Sequence, residues 1–145
     1  MDEEQRTGTR LSTTATTGWK DWFHGELWLF EDAILRVPIG EFKTMCLVGY
    51  AAEQHNPCAK VFSAEEFSRL IADPDNLWIP REDIKSAMLR YSRGWAYDLR
   101  VQMLDGRSLQ LLTLPWKRIY APLKTALHEW LGEAFVAKPS WWLRE

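Results

Sequence analysis

The chain has 145 residues, 46% of them hydrophobic and 26% charged, with a formal net charge of −2. That length suits one domain with its own core, and the composition excludes wholesale disorder. The near-neutral balance gives no general electrostatic reason for DNA, RNA or an anionic membrane as partner, and two cysteines are too few for a secreted disulfide scaffold.

The opening Met1-Asp2-Glu3-Glu4 is acidic and lacks the basic start and apolar run of a secretory signal. No stretch approaches the ~20 apolar residues of a membrane-spanning helix. A cytoplasmic protein without stable membrane insertion is the expectation. Residues 1–17, rich in Thr, Ser and Gly, show neither a helical nor a strand period and read as a disordered tail. Residues 18–137 read as the folded domain and 138–145 as a Trp-rich C-terminal tail.

Gly25–Phe30 and Ala33–Pro38 are apolar runs around Glu31-Asp32, a hairpin signal with a weak turn. Lys43–Tyr50 predicts a third strand and residues 51–62 a loop. Ser63, followed by Glu66, predicts a capped helix with Phe67, Leu70 and Ile71 on its apolar face, ended by Asp73-Pro74. Leu77–Ile79 and Asp83–Tyr91 predict strands. From Trp95 to Leu104 apolar and polar residues alternate, Asp105-Gly106 turns the chain, and Arg107–Leu114 returns. Pro122 is expected in the first turn of a helix whose stripe is Leu123, Ala126, Leu127, Trp130, Leu131 and Ala134, ended by Pro139.

Seven predicted strands followed by one amphipathic helix resemble the pleckstrin-homology-like superfold, nearest to bacterial PH-like and GRAM-like domains. The residues that carry the resemblance are Gly25–Arg36, Ile79-Pro-Arg-Glu-Asp-Ile84, Val101–Leu109 and the closing helix. It implies an α+β fold: a seven-stranded antiparallel, partly open barrel capped by the C-terminal helix, here with a short inserted helix at 63–72. Phosphoinositide-binding members carry a basic motif at the first hairpin. Here that turn is Glu31-Asp32, with Arg36 the nearby base, which argues against a lipid headgroup.

Cys46, His55 and Cys58 give one His-x-x-Cys pair, short of the paired motifs of structural zinc, so no metal and no cofactor is expected. No nucleophile elbow, phosphate loop or dinucleotide fingerprint occurs, and no catalytic residue is assigned. Arg81, Lys85, Arg90, Arg93, Arg100, Lys117 and Arg118 read first as the solvated face of a half-buried sheet. Among them Arg90, Arg93, Lys117 and Arg118, with Trp95, are the candidate binding residues, because loops at a sheet end carry function. Nine tryptophans exceed what a small core hides, so Trp141, Trp142 and Leu143 are candidates for an interface. The expected function is a non-enzymatic module that recognises a protein or peptide or self-associates into an oligomer. The alternatives are a peripheral anionic-lipid binder and a small enzyme with a dispersed site.

Overall fold

Threonine and other β-branched residues fit a pleated, half-buried surface, and the threonine-rich run at the start of the chain does form a strand. The computed structural model describes residues 5–17, 23–41, 55–92, 96–113 and 117–138. β1 (Arg6–Ala15) is followed by β2 (Phe23–Leu29), β3 (Ala33–Glu41), β4 (Cys58–Phe62), α1 (Ala64–Ala72) and β5 (Leu77–Pro80). A 3₁₀ turn (Arg81–Asp83) leads to β6 (Ile84–Ser92), β7 (Ala96–Met103), β8 (Ser108–Thr113), α2 (Lys117–Leu131), a second 3₁₀ turn (Gly132–Ala134) and β9 (Phe135–Lys138).

The fold is α+β. One sheet has the order β4-β1-β2-β3-β5 and pairs antiparallel throughout. The other has the order β8-β7-β6-β9, antiparallel except where β9 runs parallel to β6. Thr16 and Leu112 exchange two backbone bonds of 2.8 Å, which tie the end of β1 to β8 and so join the sheets at one corner. Among the described residues the sheets do not close into a barrel.

Alternation along β7 sets the layers. Tyr97, Leu99, Val101 and Met103 face a core shared with Leu27, Ile34 and Ile79 of the first sheet. Leu123, Leu127 and Leu131 of α2 enter the same core, each contributing about 2 kcal/mol on burial. The opposite face of the first sheet carries Trp28, Phe30, Leu35 and Phe62, and α1 covers it with Phe67. Phe67 meets Phe30 and Trp78 edge-on at 5.2 and 5.3 Å, the geometry aromatic quadrupoles favour. Gly25 permits a close strand approach at a bulge, where a Cβ would collide with the Val37 carbonyl.

Several expectations need correction. Residues 6–15 are not a disordered tail. They form a strand between β2 and β4, with Ser12 and Thr13 fully buried and Thr14 nearly so. Their hydroxyls make this possible: Ser12 Oγ lies 3.2 Å from Thr14 Oγ1 and accepts the Thr14 N–H at 3.1 Å. Cys58–Phe62, read as loop, is the strand that β1 recruits. Nine strands are described instead of the seven expected.

α2 starts at Lys117, so Pro122 lies inside it and not in its first turn. The lost backbone bond is offset because Tyr120, one turn ahead of Leu123, extends the packing face. The helix stops well before Pro139. Gly132, at φ +60°, takes the left-handed conformation that closes helices, and Phe135–Lys138 then adds a strand. No described helix is long and apolar enough to cross a membrane. Lys43–Tyr50 and Cys46 lie outside the described residues.

Candidate functional site

The β2–β3 turn is the point on which distant parts of the chain converge. Phe30 N–H donates to the Ala33 carbonyl at 2.8 Å and closes the turn. The Trp130 indole Nε1 of α2 donates to the Glu31 carbonyl at 2.7 Å. Arg81 donates its backbone N–H to the Asp32 carbonyl at 2.8 Å and its Nε to the Trp130 carbonyl at 2.9 Å. From the other side, Arg6 Nη1 bonds both carboxylate oxygens of Asp32 at 2.8 and 2.7 Å, and its guanidinium lies 4.3 Å from the centre of the Phe67 ring. A weak turn by sequence is thus fixed by α2, the 3₁₀ turn and β1 together.

Three surface depressions meet at Glu31. One of about 650 Å³ is lined by Gln5, Arg6, Thr7, Phe30 and Asp32. A second of about 450 Å³ runs past Asp32 to Trp78, Pro80, Arg81 and Glu82. A third of about 400 Å³ lies between Thr7, Thr9 and Phe30 on one side and Ala126, Glu129 and Trp130 on the other. Glu31, Asp32, Glu82 and Glu129 are exposed carboxylates, while Trp78 and Trp130 are half-buried. Trp78 and Trp130 thus wall two of the three depressions, and the rim is acidic on balance, with four carboxylates against Arg6, which already pairs with Asp32, and Arg81. An approaching lysine or arginine can stack on an indole and pair with a carboxylate in one pose.

A further groove of about 360 Å³ separates α1 from the first sheet. Its charged residues already pair with one another, Arg10 with Glu26 at 3.2 Å and Lys60 with Glu66 at 3.0 Å. Cys58 is exposed beside it.

Of the residues singled out from sequence, Arg90 lies on the outer face of the second sheet. Its Nε donates to Asp98 Oδ2 at 3.1 Å, next to Arg100 Nε at 3.2 Å on the same oxygen. Lys117 and Arg118 open α2, with side chains outside the described parts. Arg93, Trp95, Trp141, Trp142 and Leu143 lie outside the described residues. Among the described residues no group of three His, Cys, Asp or Glu side chains is placed to hold a metal ion. The Glu31-Asp32 turn is legible as a hairpin, but not as a site, because the groups that hold it stand 26 to 99 positions away in the chain. The half-exposed tryptophans were its one visible signal.

No protein-family model matches this chain, and no curated protein sequence matches it either.

Proposed function

We propose that this chain is a non-enzymatic binding module of pleckstrin-homology-like architecture, and that it takes up a protein segment at the Glu31–Asp32 turn. Topology supports the architectural part. Setting aside β4 and α1, which interrupt the chain between β3 and β5, and the terminal β9 leaves seven strands. They form two antiparallel groups, β1-β2-β3-β5 and β6-β7-β8, followed by α2 packed on their common core. Two antiparallel groups followed by a closing helix agree in outline with what the resemblance implies, and the strand predicted at 43–50 lies outside the described residues.

One observation carries the binding part. A two-residue turn with an exposed acidic pair is held from three directions and sits where three depressions meet, two of them walled by a half-buried tryptophan. A rigid tip loses little entropy when a partner docks, which is how pre-organised surfaces gain affinity. The acidic rim favours a cationic, partly apolar peptide and disfavours an anionic headgroup.

Selection of a random peptide library on the intact chain tests this. The expected result is enrichment of Lys- or Arg-containing peptides whose saturable binding is lost in Glu31→Lys and Glu82→Lys. Enriched peptides indifferent to both substitutions, or flotation of the chain with anionic vesicles in place of peptide binding, would contradict it.

A further inference from the structure

The outer face of the second sheet carries a second charged constellation, of opposite sign and remote in character from the turn. Asp98 is 1% exposed, yet it lies on the face of β7 opposite Tyr97 and Leu99, away from the shared core. Its carboxylate takes three donors: Arg90 Nε at 3.1 Å, Arg100 Nε at 3.2 Å and Gln110 Nε2 at 3.1 Å. Both arginines dock by Nε, the inner edge of the guanidinium, and their side chains stay 42% and 47% exposed. Neither makes another hydrogen bond among the described residues. Their terminal Nη groups are thus held at a fixed place with donors to spare, and guanidinium forks match carboxylates in geometry as well as charge.

Strand register says what surrounds the pair. Lys138, Arg90 and Asp98 stand side by side across β9, β6 and β7. The adjacent row is Val136, Met88, Arg100 and Gln110. Val136 is 50% exposed. The face alternates cationic and apolar positions at the spacing of a sheet, about 4.8 Å between strands and about 6.8 Å between like-facing residues.

We propose that this face binds an extended acidic segment of another protein, in which carboxylates engage Arg90 and Arg100 and small apolar side chains lie on Val136 and Met88. Charge decides against a membrane. Arg90, Arg100 and Lys138 carry three positive charges and the buried Asp98 withdraws one, whereas membrane-binding clusters hold about four to eight basic residues. The proposal is independent of the reading of the Glu31 turn, which concerns cationic segments.

Fluorescence polarisation of the intact chain with a labelled peptide of alternating Glu and Val tests it. Saturable binding is expected at low salt, weakening as ionic strength rises. Arg90→Gln and Arg100→Gln should each weaken it about tenfold, the value of one charge-assisted pair. If a Gln variant does not fold, as judged by its near-UV spectrum, Arg90→Lys decides. Lysine keeps the charge beside Asp98 but loses the fork, so weaker binding supports the proposal and unchanged binding overturns it. Absence of binding at low salt, indifference to both Gln variants, or equal arginine-dependent binding to anionic vesicles also overturns it.

Discussion

Trp130 on the last helix donates its indole N–H to the carbonyl of Glu31 at the tip of the β2–β3 hairpin, 2.7 Å away across 99 positions of sequence. This bond ties the C-terminal helix to the turn that we place at the centre of the binding surface. Trp130→Phe keeps most of the ring but removes the donor, at sites still open to water. It should lower unfolding free energy by about 1 kcal/mol in urea and weaken peptide binding at the turn by more than that loss implies, because the tip is no longer held. Equal binding by the variant and the parent chain would show that the bond does not position the site.

Asp98 presents the opposite case, a buried carboxylate that organises two arginines. Asp98→Asn removes its charge and leaves two guanidiniums half in solvent. We expect a loss of about 1–3 kcal/mol in chemical denaturation, because hydrogen bonds to charged groups are lost together. Arg100→Gln should cost less, within about 1 kcal/mol, since that partner is nearly half exposed. Reversal of this order would mean that the cluster is a surface decoration and not a buried anchor.

Thr113, beside Tyr97 at the end of β8, is 3% exposed, and its Oγ1 has no hydrogen-bond partner among the described residues. An unpaired buried hydroxyl carries its desolvation cost with no return, so Thr113→Val should raise the thermal midpoint, by the equivalent of about 1 kcal/mol. A destabilised valine variant would argue that the hydroxyl has a partner when the protein is in water.

Tyr97 packs between Tyr91 and Tyr120, with ring centres 5.4 and 4.9 Å away. Burial, with the two neighbouring phenols, raises its pKa above the ordinary 10.0, and burial raises that of Tyr120. A phenol harder to ionise in the folded chain remains protonated at a pH where the unfolded chain has already released its proton. The stability these groups contribute is therefore complete below pH about 10 and falls as the pH climbs beyond it. Ultraviolet absorbance should show late-ionising tyrosines whose titration coincides with unfolding, and Tyr97→Phe should make the alkaline loss shallower. Ionisation of all four tyrosines in the ordinary range, with the fold intact, would contradict this.

How legible the sequence was depends on whether a signal is local. The period-two run in β7, the Asp105-Gly106 turn with Gly106 at φ +93°, and Ser63 as helix cap all sit within a few residues. Ser63 Oγ accepts the Glu66 N–H at 3.1 Å as expected, although the Glu66 carboxylate turns away to Lys60 at 3.0 Å. β1 is illegible because three consecutive buried positions, Ser12, Thr13 and Thr14, are of types that a hydropathy pattern scores as exposed, which breaks any period around the buried Leu11 and Ala15. Once β1 was missed, β4 had no visible partner. The Glu31 turn and the Asp98 cluster depend on tertiary contacts across strands and helices. Arg90 was reached from sequence as a basic residue near a turn, but its tie to Asp98 is a matter of register.

The most direct check on the central reading is a two-dimensional amide spectrum of the intact chain, titrated with a cationic peptide selected on it. The Trp130 indole resonance and the backbone amides of Glu31 and Asp32 should shift together and saturate at one affinity, with Asp98 and Arg100 unmoved. If the peptide saturates while the Trp130 indole and both turn amides stay in place, the turn is not where this protein meets its partner.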